Sequence, residues 1–177
     1  MINAIDETIY NLIFKLFSTP TTFIMTFISH LGSATILILL CIIFYILLKD
    51  KKLALIISLN LIIVHVLNVI IKMIIARPRP DMLRLVYETG YSFPSGHAMV
   101  ATGFYGFLIY IANKKIKNKA LRRCITILLT LLIFLIGISR IYLGVHYATD
   151  IIGAFIIGII YLVIFINILK KNSIIAN

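Results

Sequence analysis

At 177 residues, with 62% hydrophobic and 13% charged side chains and a mean hydropathy of +1.10, the chain is too apolar for a soluble globule and reads as an integral membrane protein. Its net charge of +11 lies in short loops beside apolar stretches, without interleaved aromatics, which argues against nucleic acid as a partner and for membrane lipids. Cys41 and Cys124 fall in separate apolar stretches, give neither a disulfide framework nor a redox motif, and are expected as buried small apolar residues.

In chain order, residues 2–17 come first. Ile5, Ile9, Leu12, Ile13, Leu16 and Phe17 repeat at helical spacing, with Asp6, Glu7, Asn11 and Lys15 on the other side. The segment is too short to span a bilayer and is cut off by Ser18-Thr19-Pro20, so an amphipathic helix lying in the membrane interface is expected. It lacks the positive start and small-residue cleavage site of a secretory signal peptide. Apolar spans follow at about 21–48, 53–76, 96–112, 124–139 and 148–169. The expected fold is therefore an all-α membrane bundle of about five transmembrane helices, forming a single domain over residues 1–177. The first span corresponds to about 42 Å of helix and should break or tilt near Gly32-Ser33.

Three basic clusters punctuate these spans: Lys49, Lys51 and Lys52; Lys114 to Arg123; and Lys170 with Lys171. Alternating spans put all three on one face, which the positive-inside rule makes cytoplasmic. The other ends carry three polar blocks: Lys72 with Arg79-Pro80, Pro94-Ser95-Gly96-His97, and Ser139-Arg140 followed by His146 and Asp150. They face the extracytoplasmic side of what reads as a bacterial plasma membrane.

Ionisable groups at the ends of apolar helices point to function, and these suit a phosphate ester. A phosphoryl group in transfer spreads negative charge over three oxygens, which Lys72, Arg79 and Arg140 can meet, the arginines as bidentate forks. Ser95 can donate a hydroxyl hydrogen bond, and Gly96 lets backbone amides at a helix N-terminus approach the anion. If residues 146–150 are helical, the i, i+4 spacing sets Asp150 one turn from His146, free to hold Nδ1–H and leave Nε2 as nucleophile. His97 then remains to protonate the leaving oxygen and later deprotonate water.

Read as Lys72-x6-Arg79-Pro80, Pro94-Ser95-Gly96-His97 and Ser139-Arg140-x5-His146-x3-Asp150, the blocks resemble the three signatures of the type 2 phosphatidic acid phosphatase (PAP2) superfamily, over roughly residues 53–170. The resemblance implies His146 as nucleophile, Asp150 as its partner, His97 as acid, and Lys72, Arg79, Ser95, Gly96 and Arg140 as phosphate ligands. It also implies catalysis without a metal or other cofactor. In agreement, the six acidic residues show no two-metal pattern and the histidines no zinc spacing. Gly96 stands where some undecaprenyl diphosphatases of the superfamily carry aspartate, which tilts the resemblance toward the phosphatidylglycerophosphatase B-like branch.

The expected activity is hydrolysis of a lipid phosphate or diphosphate, with phosphatidylglycerophosphate, phosphatidic acid and undecaprenyl diphosphate all compatible. A lipid phosphotransferase using the same histidine, or a non-enzymatic transporter, are the alternatives. Around the blocks, His65 and Asn68 read either as supports of the site or as polar contacts between helices. His30, Arg77 and Arg84 are candidates for the headgroup, with a hydrogen bond between packed helices as the other reading of His30 and Asp81 and Glu88 available to pair with the two arginines instead. Gly144, Gly153 and Gly158 read as tight-turn or close-packing positions.

Overall fold

The computed structural model describes residues 4–81 and 83–173. Its helices are α1 (Ala4–Phe14), α2 (Thr19–His30), α3 (Ala34–Leu47), α4 (Lys51–Ile75), α5 (Gly96–Lys115), α6 (Lys119–Tyr142) and α7 (Ala148–Lys171). Most begin where the sequence supplies a side-chain cap: Ser18 accepts from Thr21 N, Ser33 from Ile36 N, Asp50 from Leu53 N and Asn118 from Leu121 N.

Helices α4, α6 and α7, of 24 or 25 residues, are long and apolar enough to cross a membrane. α2 and α3 qualify only as a pair, bent by 50° at residues 31–33, where the break was expected. Gly32 allows this bend to seat itself against α6, because a Cβ there would lie 2.7 Å from Ile136.

α5 has 20 residues, about 30 Å of helix, and is less apolar than α4 and α7. It packs on α4, α6 and α7 and buries Ala98, Ala101, Gly103, Phe104 and Phe107. A helix wrapped by protein needs no lipophilic exterior. The large apolar side chains that stay exposed on α4 away from its cavities, such as Leu55, Leu59, Ile70 and Met73, instead face outward, as expected for a lipid-facing belt. At Gly158 the backbones of α5 and α7 approach so closely that a Cβ would meet Thr102 at 2.8 Å.

The connections fall at two ends. At one, Lys115 lies 4.0 Å from Asp50 and Lys170 lies over the Tyr110 ring, so all three basic clusters share that end. At the other, the C-termini of α4 and α6 meet the N-termini of α5 and α7, joined by residues 76–95 and 143–147. Gly144, at φ +72°, lets these two connections touch: a Cβ on it would fall 2.1 Å from Leu83 O.

Helix α1 packs on α6 and α7 at this second end, and here the structure corrects two expectations. Asp6 was expected on the polar side of α1 but is buried, on the same stripe as Ile9 and Ile13, while Ile5, Leu12 and Leu16 are exposed. Ion pairing, described below, outweighs the cost of burying its charge. Ile2 lies outside the described residues. Cys124, expected inside, is exposed on α6, whereas Cys41 is buried.

Candidate active site

His146 sits in the turn that leads into α7, with 2% of its side chain exposed. The helix begins only at Ala148, so the imidazole precedes it, and Asp150 reaches back to it from the first turn. This differs from a shared helical face, yet the pairing is kept: Nδ1 lies 3.4 Å from Asp150 Oδ2. That oxygen also accepts from Tyr147 N at 2.9 Å and from the Ser92 hydroxyl. An acidic residue at this position also complements the positive end of α7.

On the other side of the ring, Arg79 Nη1 lies 3.3 Å from Nε2. A guanidinium has only donors, so this contact places a lone pair on Nε2 and the ring proton on Nδ1, toward the carboxylate. Burial, reinforced by the charges of Arg140, Arg79 and Lys72, lowers the His146 pKa to about 4 against the opposing hydrogen bond from Asp150. The ring is therefore neutral at neutral pH, with the lone pair of Nε2 turned toward Arg79.

Those cations are fixed from three directions. Arg79 is held by Val145 O at 2.9 Å and Thr89 O at 2.8 Å. Lys72, in the last turn of α4, donates to Tyr91 O at 2.6 Å. Arg140, in the last turn of α6 and 3% exposed, donates to Ser29 Oγ at 2.6 Å and to Glu88, while its Nε is buried without a protein partner. Ser95 Oγ is likewise buried and unpartnered. Ser95 precedes α5, whose first N–H groups have no intrahelical acceptor, so the helix turns free donors and its positive end toward the site. Gly96 brings the helix start close to α4: a Cβ there would press to 3.2 Å from Asn68 Oδ1. Buried donors left over in this pattern describe an anion cradle.

A cavity of about 630 Å³ opens from this cradle. His146, His97, Lys72, Arg79 and Gly96 line its inner part, and Ile38, Leu61, Ile62, Val66 and Val69 of α3 and α4 form an apolar wall. A second cavity of about 520 Å³, lined by Thr26, Ser29, His30, Ser33 and Arg140, shares His97 and Glu88 with the first. His30 thus reaches the periphery of the site from its far side.

The remaining sequence candidates separate. Asn68 donates to Pro94 O at 3.4 Å and abuts Gly96, so it is at once a contact between elements and a support of the second block. His65 is exposed on the outer part of the larger cavity. Arg77 and Arg84 line neither cavity. Arg84 folds onto its own loop, donating to Pro80 O at 2.6 Å. Arg77 bridges Asp6, at 3.0 Å, and Asp150, at 2.7 Å, so the expected pairing with Asp81 or Glu88 does not form. Glu88 instead lies on Arg140 and 3.8 Å from Arg79, where its carboxylate sits between the two guanidiniums.

Asp6, Ser29, Ser92 and Thr149 take part in this constellation without having been expected there. Only Asp6 carried a readable signal, its shared stripe with Ile9 and Ile13. The hydroxyls of Ser29, Ser92 and Thr149 are brought in by tertiary packing from separate elements.

The PAP2 superfamily matches residues 52–174, which contain all three blocks. The chain belongs to this family. It is 37% identical over 147 residues to phosphatidylglycerophosphatase B of Bacillus subtilis, covering 77% of this chain and 70% of the relative. The crystal structure of a transmembrane PAP2-type phosphatidylglycerolphosphate phosphatase from Bacillus subtilis superposes with a TM-score of 0.85 at 32% identity, over 94% of this chain and 85% of that one. An undecaprenyl-diphosphatase of Sulfolobus acidocaldarius is 28% identical over 76% of this chain and 64% of its own length. The PAP2 match leaves α1, α2 and α3 outside its bounds, so Asp6, Ser29 and His30 are contributions of the segment that precedes it.

Proposed function

We propose that this PAP2 protein is a membrane lipid phosphatase that works through a phosphohistidine. The substrate phosphate replaces Glu88 among Lys72, Arg79 and Arg140 and takes hydrogen bonds from Ser95 and the first amides of α5. His146 Nε2 attacks phosphorus, the N–P bond forms, and the ester P–O bond breaks. His97 delivers a proton to the leaving oxygen. Asp150 stabilises the positive charge that develops on His146. In the second half-reaction His97 takes a proton from water, whose oxygen attacks phosphorus and releases inorganic phosphate and free His146. Three fixed cations supply the charge stabilisation that the transition state needs.

The observation that carries this reading is the two-sided hold on His146: carboxylate on Nδ1, guanidinium and open cavity on Nε2. The apolar wall of that cavity supports a substrate whose tail remains in the bilayer. The names of the relatives favour phosphatidylglycerophosphate first and an isoprenoid diphosphate second. The basic clusters at the opposite end support an extracytoplasmic site.

The test is phosphate release by the purified protein in detergent, with EDTA present, across monophosphate lipids, diphosphate lipids and one soluble phosphate ester. Lipid monophosphates should turn over fastest, and His146→Ala should lose on the order of 10^4-fold or more in kcat. Near-normal turnover by His146→Ala would refute the nucleophile. Loss of activity in EDTA, restored by Mg2+, would refute the reliance on fixed cations.

A further inference from the structure

We propose that Asp6, on the N-terminal helix α1, is a positioning residue for the His146–Asp150 pair, acting through Arg77 and Thr149. The inference rests on the histidine chemistry proposed above. Among the described residues, Asp6 and Asp150 are the two buried carboxylates, at 1% and 0% exposure, and a single guanidinium joins them.

Each atom of the link is accounted for. Asp6 Oδ1 accepts from Thr149 N at 2.8 Å, and Oδ2 accepts from Thr149 Oγ1 at 2.9 Å and Arg77 Nη2 at 3.0 Å. Arg77 turns its other nitrogen, Nη1, to Thr149 Oγ1 at 2.8 Å and Asp150 Oδ1 at 2.7 Å. The guanidinium carbon lies 4.0 Å from the centre of the Tyr147 ring, which fixes the plane of the fork. Asp150 therefore has one oxygen anchored by Arg77 and leaves the other for His146, Tyr147 N and Ser92.

A helix cap alone would not call for this arrangement, since a neutral Ser, Thr or Asn can accept from Thr149 N. The charge of Asp6 does something further. It divides the pull of Arg77 between two carboxylates, so that Asp150 is oriented by the guanidinium without being drawn off the imidazole. Arg77 alone would hold Asp150 but compete for it. Asp6 also ties α1, packed on α6 and α7, to the first turn of α7, so the seating of that helix bears directly on the reacting pair.

The test compares Asp6→Asn, Asp6→Glu, Arg77→Gln and the Asp6→Asn/Arg77→Gln double variant, as full-length protein in detergent. Asp6→Asn should lose about tenfold to hundredfold in kcat, the range typical of groups that orient a functional ligand. KM should stay within about twofold and vanadate inhibition should be unchanged, because Asp6 touches none of the phosphate-binding cations. Asp6→Glu should recover part of the loss. The double variant should be no slower than the slower single variant, as for two residues in one linkage. Wild-type kcat in Asp6→Asn beside an inactive His146→Ala would overturn the relay and leave the histidine chemistry intact. Equal losses of kcat and vanadate affinity would also overturn it, by showing that Asp6 only holds the fold. Activity in His146→Ala would remove the foundation of both.

Discussion

The two ends of the bundle treat charge in opposite ways. At the basic end, Lys115 and Asp50 lie 4.0 Å apart with 54% of each side chain exposed, so water solvates both and the pair adds little. At the other end, Asp6, Arg140, His146 and Asp150 are at most 3% exposed, and each carboxylate and guanidinium among them is held by partners from other elements. Burying such groups is costly and is offset only by close, well-formed hydrogen bonds. The difference teaches that charge left to water needs no particular partner, whereas charge taken into the bundle is tolerated only where fixed partners match it, and it is these matched groups that we propose carry the chemistry.

The comparison breaks most visibly at Arg140. Arg140→Lys keeps the charge but cannot reach Ser29, Glu88 and a phosphate oxygen with one planar fork. Phosphate release should fall about a hundredfold, in line with loss of a transition-state donor, and vanadate affinity should fall with it. A lysine variant with wild-type kcat/KM would show that burial there does not serve the anion.

Glu88 gives a smaller and opposite effect. Its carboxylate, 30% exposed, occupies the forks that we propose bind the substrate phosphate. Glu88→Gln weakens that internal competitor, so KM and the vanadate inhibition constant should both drop about fivefold, equivalent to about 1 kcal/mol. A rise in KM would mean that Glu88 contacts the substrate rather than yielding to it.

The smallest effect belongs to the basic end. Lys115→Cys, in a background with Cys41 and Cys124 replaced, should leave kcat unchanged and alter unfolding by no more than about 0.5 kcal/mol. In intact cells the new thiol should resist a membrane-impermeant reagent, because clustered Lys and Arg in short loops are retained on the cytoplasmic side. Labelling from outside would turn the reaction to the inner leaflet and leave its chemistry standing.

Much of this molecule is local information and was legible without coordinates. Apolar runs longer than a bilayer is thick dictate helices, and the caps Ser18, Ser33, Asp50 and Asn118 fall where those runs begin. The break at Gly32-Ser33 follows from a stretch too long to cross straight. The three blocks pointed to Lys72, Arg79, His97, Arg140, His146 and Asp150 as candidates because bare ionisable groups at apolar helix ends have few structural excuses, and to Ser95 and Gly96 as neutral donors beside them. Alternation of spans then brought them to one end by topology alone.

What the sequence left undetermined depends on distances between segments far apart in the chain. Asp6 and Asp150 are separated by most of the polypeptide, and nothing in either neighbourhood says that Arg77 will stand between them. Glu88 had Arg77, Arg79 and Arg84 close in sequence but makes its shortest pairing with Arg140, 52 residues away, since the packing of the loop on α6 and not proximity along the chain decides which guanidinium it meets. The tautomer of His146 likewise follows from the direction of Arg79, which residues 76–95 set. Periodicity determines which face of a helix is apolar. Only the tertiary structure decides which polar atoms end up within 3 Å of one another, because that selection is made by the packing of whole elements and by the need to satisfy every charge the packing buries.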